Sequence, residues 1–155
     1  MTTSLVTGGS GYFGMLMVER LRAAGHTVRV LDLNDADDRA ADVEFVRGDV
    51  RDADAVHAAV AGVDLVFNNV AQVPLAKDPE LLRTVNVDGT RVLLAACLEQ
   101  GVRKVVHTSS SAVFGIPATN PVMPDTPPTP AETYGRAKTE AEGLCRAFVN
   151  EGLDV

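Results

Sequence analysis

Short apolar runs, each separated from the next by a longer stretch with helical periodicity, constrain the fold of this chain more than any other feature. The runs are rich in β-branched residues and largely apolar, as expected for parallel strands covered on both faces. Parallel strands need crossover helices, and the intervening stretches are long enough to supply them. The pattern predicts an α/β fold with a doubly wound parallel sheet. The predicted strands are Leu5–Thr7, Thr27–Asp32, Val43–Arg47, Leu65–Asn68 and Lys104–Thr108.

Glycine and proline mark the ends of the predicted helices, because glycine favours a helix C-terminus and proline its first turn. A segment rich in proline, threonine and asparagine lies between Gly115 and Pro130 and is predicted to be a loop. The predicted helices are Tyr12–Ala24, Ala53–Val60, Glu80–Gln100 and Ala131–Glu151.

Composition excludes several classes of protein. The 155 residues suit one domain with its own core, and the net charge is −7 without any cluster of Lys or Arg. Nucleic acid and anionic membranes are therefore not expected partners. The start of the chain lacks a basic leader, and no run approaches the ~18 apolar residues of a membrane span. We expect a cytoplasmic protein that binds no metal, with Cys97 and Cys145 as free thiols.

A glycine-rich turn, Thr7-Gly8-Gly9-Ser10-Gly11-Tyr12-Phe13-Gly14, follows the first strand and opens the first helix. Gly8 permits the tight turn, Gly11 allows close approach of a pyrophosphate, and Gly14 allows the helix to pack near the strand. Asp32 ends the second strand, where a carboxylate meets the adenine ribose hydroxyls and would repel a 2′-phosphate. These features predict a Rossmann-type domain over residues 1–155 that binds NAD rather than NADP.

Six segments, the glycine turn and five others, resemble one family, the extended short-chain dehydrogenases/reductases, which contains nucleotide-sugar epimerases and 3β-hydroxysteroid dehydrogenases. The glycine turn itself resembles the TGxxGxxG turn of that family. The other segments are GDVRD (48–52), NVA (69–71), NVDGT (86–90), SSSAVFG (109–115) and YGRAK (134–138). The last resembles the catalytic YxxxK motif.

The resemblance implies a role for each matching residue. Ser110 is expected to donate a hydrogen bond to the substrate oxygen, Tyr134 to act as acid and base, and Lys138 to hold the nicotinamide ribose. His107 is expected to be a strand residue only. The implied cofactor-binding residues are Gly8, Gly11, Tyr12, Phe13, Gly14, Asp32, Asp49, Val50, Val70, Ala71, Asn86, Tyr134 and Lys138.

The spacing of Tyr134 and Lys138 agrees with these roles, because residues four apart share one face of a helix and a nearby cation favours the phenolate. Related dehydratases carry an Asp-Glu pair where this chain has Ser111 and Ala112, which argues against elimination of water. Oxidation, reduction or epimerisation of a secondary alcohol remains, on a sugar nucleotide or a steroid-like substrate. A non-catalytic dinucleotide sensor is the alternative.

The sequence also predicts a homodimer, because two predicted helices carry apolar residues beyond one face and therefore need a partner on a second side. The equivalent helices of the family pair in the same way. The family's C-terminal strand and substrate-binding region are expected to be absent from these residues. We therefore expect the chain by itself to be inactive. The apolar residues in question are Val85, Val92, Leu93, Leu94, Ala95, Ala96, Leu144, Ala147, Phe148 and Val149.

Overall fold

The computed structural model describes residues 1–73 and 78–155. A π-helical turn occupies Thr84–Asp88 and a 3₁₀ turn occupies Ser111–Phe114. The other elements are β1 (Thr3–Thr7), α1 (Tyr12–Ala23), β2 (Thr27–Asp32), β3 (Glu44–Arg47), α2 (Ala53–Val60), β4 (Leu65–Asn68), α3 (Pro79–Arg83), α4 (Gly89–Glu99), β5 (Lys104–His107) and α5 (Thr133–Asn150).

The strands form a single sheet in the order β3-β2-β1-β4-β5, and each neighbouring pair is parallel. The predicted doubly wound parallel sheet is therefore confirmed. The chain runs outward from β1 through β2 to β3 and then returns to place β4 on the other side of β1. Open α/β sheets bind ligands in the crevice that this reversal leaves beyond the carboxyl ends of the strands.

Consecutive residues of β1 show that the sheet is covered on both faces. Leu5 belongs to the larger core cluster, together with Val56 of α2 and Leu93 of α4. Val6 belongs to a second cluster, together with Val18 of α1. Both β1 residues are completely buried, and full burial of such a side chain contributes about 1.5–3 kcal/mol. Burial on both faces explains why β1 is apolar without alternation.

The predicted helix over Glu80–Gln100 is present, with helical backbone over 79–99, but a π-helical turn interrupts its regular α-helical hydrogen bonding. Asp78 caps α3 by accepting hydrogen bonds from Glu80 N and Leu81 N, and the π-helical turn then separates α3 from α4. Asn86 lies in this wider turn and binds the backbone of Gln72 through both ends of its amide. Such a tertiary contact is not encoded in hydrophobic periodicity, and π turns of this kind often occur near functional sites.

The end of the chain lies beside β5. Leu153 is buried, and Val105 N donates to Asp154 O at 2.8 Å. Lys104 Nζ forms an ion pair with Asp154 Oδ2 at 2.9 Å. In the ranges 1–73 and 78–155, no helix combines the length and the apolar character needed to cross a membrane.

Candidate functional site

The glycine turn packs tightly on itself at the carboxyl end of β1. Gly8 N donates to Leu31 O at 2.9 Å, and Gly8 has a φ of +66°, a conformation that favours glycine. A Cβ at Gly14 would lie 2.1 Å from Gly8 O, so only glycine lets α1 begin this close to the turn. The roles predicted for Gly8 and Gly14 thus have a steric basis in the protein itself.

Gly11 differs from these two glycines. Its backbone is extended (φ −79°, ψ 164°), and a Cβ there would meet only Gly8 O, at an ordinary 3.4 Å. Packing within the protein therefore does not require glycine at this position. Gly11 precedes the first turn of α1, whose N–H groups are suited to bind an anion, and it lines a cavity.

That cavity has a volume of about 510 Å³ and lies beyond the carboxyl ends of β1, β2 and β4. Its volume is in the range typical of small-molecule and cofactor sites. The predicted cofactor-binding residues that line it are Gly8, Gly11, Asp32, Asp49, Val50, Val70 and Ala71. The lining residues that sequence reasoning missed include Leu33, Asn34, Arg51, Gln72, Leu81 and Val85.

Asp32 is held at the edge of the cavity by backbone donors. Its Oδ2 accepts from Ser10 N of the glycine turn at 3.1 Å, and its Oδ1 accepts from Asn34 N at 3.3 Å. The carboxylate is only half-buried, so it retains acceptor capacity toward the cavity. This geometry suits recognition of ribose hydroxyls.

Asp49 is engaged by a neighbour that the sequence analysis left without a role. Arg51 donates from Nε and Nη2 to the two carboxylate oxygens of Asp49, at 3.0 and 2.6 Å. This pairing lowers the pKa of Asp49 below its usual range. Arg51 Nη1 also reaches Thr84 Oγ1 of the π-helical turn at 3.2 Å. The segment after β3 is thereby tied to that turn.

The other six predicted cofactor-binding residues do not line this cavity: Tyr12, Phe13, Gly14, Asn86, Tyr134 and Lys138. Tyr12 and Phe13 open α1 with 83% and 52% of their surface exposed. Asn86 is 1% exposed, and its amide is occupied by the Gln72 backbone at 2.8 and 3.0 Å. Asn86 therefore supports the segment that forms the cavity wall.

A second group of polar residues lies where β5 and α5 meet. Ser110 Oγ accepts from Ala112 N at 3.2 Å and caps the 3₁₀ turn, whereas Ser109 donates its hydroxyl to Glu142 Oε1 of α5 at 2.6 Å. A Cβ at Gly135 would lie 2.4 Å from Ala112 O. The first turn of α5, which carries the half-buried Tyr134, therefore packs directly against the turn that Ser110 begins.

Lys138 is 2% exposed, although it is charged in its usual state. Its Nζ donates to Thr108 O at 2.6 Å and lies 3.5 Å from His107 Nε2. Burial lowers the pKa of Lys138, while Cys145 and Glu142 act in the opposite direction. Burial and the charge of Lys138 lower the pKa of His107 to about 4. Sequence reasoning missed this contact, because His107 ends β5 whereas Lys138 lies in α5, 31 positions later.

Within the described ranges, no cluster of three or more His, Cys, Asp or Glu side chains could hold a metal ion. The glycine turn, the cavity and Asp32 together define a dinucleotide-binding protein of the Rossmann type. A family model described as the NAD dependent epimerase/dehydratase family matches residues 4–155. The chain belongs to this family, whose solved structures are extended short-chain dehydrogenases/reductases, and NAD is its cofactor.

Individual relatives have different activities. UDP-glucose 4-epimerase of Mycolicibacterium smegmatis is 39% identical over 95% of this chain and 51% of its own length. Sterol-4-alpha-carboxylate 3-dehydrogenase, decarboxylating, of Mus musculus is 38% identical over 70% of this chain and 30% of its own length. An Agrobacterium tumefaciens short-chain dehydrogenase/reductase superfamily protein with bound NAD has a TM-score of 0.91 and 36% identity, covering 98% of this chain and 46% of that one. The chain thus spans about half or less of these proteins.

Proposed function

We propose that the chain is the NAD-binding part of an epimerase or dehydrogenase that acts on a secondary alcohol of a sugar nucleotide or steroid-like substrate. The observation that carries this proposal is the packing of α5, with Tyr134 and Lys138, against the Ser110 turn. Lys138 binds Thr108 O, and Thr108 in turn binds Asn69, which lines the dinucleotide cavity. The relatives support both substrate classes, since one is named a UDP-glucose epimerase and another a sterol dehydrogenase.

The residues present fit NAD. Gly11 leaves room for a pyrophosphate at the start of α1, and Asp32 presents acceptors to ribose hydroxyls. Bound NAD supplies the hydride acceptor and donor. On the protein side, we assign Tyr134 to exchange a proton with the substrate oxygen and Ser110 to donate a hydrogen bond to that oxygen. Lys138 holds the nicotinamide ribose and favours the phenolate of Tyr134.

The reaction is tested by NADH formation with a panel of sugar nucleotides and hydroxysteroids. We expect the 155 residues alone to be inactive, because positioning of the reacting carbon supplies ~7–11 kcal/mol of such a barrier and requires a substrate-binding region. A longer form that includes such a region should be active, and Tyr134→Phe should abolish its turnover. NAD binding without turnover by the longer form would instead support the sensor alternative.

The cofactor preference is tested by calorimetry with NAD and NADP. We expect NAD to bind at least about tenfold more tightly, because the Asp32 carboxylate would repel a 2′-phosphate. Asp32→Asn removes the repelling charge but preserves the shape, so it should narrow the difference. Equal affinities in the unmodified chain would remove Asp32 from this role.

We also propose a cytoplasmic homodimer, with fewer apolar residues available for its interface than the sequence suggested. Leu93, Leu94, Ala96 and Leu144 are buried within the chain itself, so they cannot contribute an exposed interface. Ala147 and Val149 of α5 remain exposed and are the best placed for pairing, whereas Val85, Val92, Ala95 and Phe148 are partly buried. Sedimentation at tens of micromolar should show a dimer that Val149→Asp dissociates. A monomer at these concentrations would contradict the prediction.

A further inference from the structure

A series of polar side chains, all buried except the partly buried His107, runs from the glycine turn to Lys138. Val70 N donates to Thr7 Oγ1 at 3.4 Å, and Thr7 Oγ1 donates to Asn68 Oδ1 at 2.7 Å. Asn68 Nδ2 lies 3.0 Å from His107 Nδ1, and His107 Nε2 lies 3.5 Å from Lys138 Nζ. Thr7, Asn68 and Lys138 are 0–2% exposed, so water does not compete for these groups.

The amide oxygen of Asn68 sets the direction of the whole series of hydrogen bonds. Asn68 Oδ1 can only accept, so Thr7 Oγ1 donates its hydrogen to that oxygen and itself accepts from Val70 N. The Asn68 amide therefore turns its Nδ2–H₂ group toward His107. His107 Nδ1 must then accept, and in a neutral imidazole the hydrogen is left on Nε2.

The Nε2–H group of His107 faces the amine of Lys138, which can be either protonated or neutral. A protonated Lys138 has only donors, so two N–H groups would oppose each other, whereas the neutral amine has a lone pair that can accept. The other titratable groups near Lys138 are on its own helix: Glu142 and Cys145, and Tyr134 one turn earlier. Burial keeps His107 neutral near pH 7, because its pKa is lowered to about 4.

We propose that His107 is a positioning residue for Lys138: held as its Nε2–H tautomer through Asn68 and Thr7, it disfavours the protonated form of the Lys138 side chain. Its importance for the reaction rests on the proposed function of Lys138 beside Tyr134. His107, to which the sequence analysis gave no role beyond that of a strand residue, thereby controls how readily Lys138 gains and loses a proton. This series of hydrogen-bonded side chains begins at Thr7, the first residue of the glycine turn.

The tautomer is measured on the unmodified protein. Long-range ¹H–¹⁵N correlation spectra distinguish the two neutral forms of each histidine, and the sequence contains only three. We expect His107 to carry its hydrogen on Nε2 at neutral pH. Hydrogen on Nδ1, or a protonated ring, would overturn the proposal without requiring any variant to fold.

The effect on Lys138 is measured by the pH titration of ¹³Cε signals, which is simple because the lysines are Lys77, Lys104 and Lys138. His107→Gln offers an amide oxygen in place of the ring N–H, so the proton affinity of Lys138 should rise about tenfold. An unchanged or reduced affinity would overturn the proposal. His57→Gln, a histidine replacement on the exposed surface of α2, is the matched control.

The role of Lys138 itself is tested separately by NAD binding to Lys138→Met. Unchanged NAD affinity in that variant would contradict the proposed function of Lys138, but it would leave the tautomer and the titration result standing. Conversely, a changed NAD affinity together with an Nδ1–H tautomer would overturn only the role of His107.

Discussion

Replacing Gly11 by valine is expected to weaken NAD binding at least about 100-fold, which corresponds to ~2.7 kcal/mol. The side chain would project into the cavity where the pyrophosphate approaches the start of α1. The protein itself accommodates it, because the backbone at Gly11 is extended and a Cβ there lies no closer than 3.4 Å to Gly8 O. Calorimetry with NAD measures the loss, and thermal unfolding without NAD should show a cost of at most about 1 kcal/mol.

Gly101→Ala is the matched control, because it should produce the opposite result. Gly101 follows α4 with a φ of +69°, so alanine is strained there, although no atom lies within 4 Å of its Cβ. We expect a loss of about 1 kcal/mol in stability and an unchanged NAD affinity. Wild-type affinity in Gly11→Val would show that the pyrophosphate does not approach this residue.

Acidification is expected to destabilise the chain through His107. Its pKa is about 4 in the folded protein and 6.5 ordinarily, because burial and the charge of Lys138 disfavour the imidazolium. Between these pH values the unfolded chain binds a proton at His107 that the folded chain does not. Stability is therefore lost as pH falls from 6.5 to about 4, by about 3 kcal/mol from this residue.

Denaturant unfolding at several pH values measures this contribution as a difference between two proteins. His107→Gln has no group to titrate at this position, so its stability should depend less steeply on pH between 6.5 and 4. Carboxylates with lowered pKa, such as Asp35 and Asp49, affect both proteins alike. If the free energy of unfolding had the same pH dependence in the unmodified protein and in His107→Gln, His107 would be protonated equally in the folded and unfolded states.

The strands were predictable because each is an apolar run that ends at a polar residue. Thr27–Asp32 and Leu65–Asn68 have in the structure the limits that their sequences indicate. Burial on both faces of the sheet leaves little choice of residue type there, so the signal is strong. The glycine turn was equally readable, because Gly8 and Gly14 are required by contacts within the turn itself.

The π-helical turn at Thr84–Asp88 was not predictable from the same kind of pattern. Its residues continue an ordinary helical periodicity, and the wider turn accompanies the contact of Asn86 with Gln72, fourteen positions earlier. The sequence also did not show that Leu93 and Leu94 are buried within the chain and so cannot form an exposed interface. Apolar character alone does not say which neighbour covers a side chain.

The amino-acid sequence by itself determined the order of strands and helices, the glycine turn and the acidic residue that follows it, because these depend on local periodicity and on backbone conformations that few residues adopt. Only the tertiary structure decided that Arg51 binds Asp49, that Asn86 supports the cavity wall and that His107 lies against Lys138. Thr7, Asn68, His107 and Lys138 are far apart along the chain. They meet because parallel strands bring their carboxyl ends to one edge of the sheet, and α5 packs across that edge.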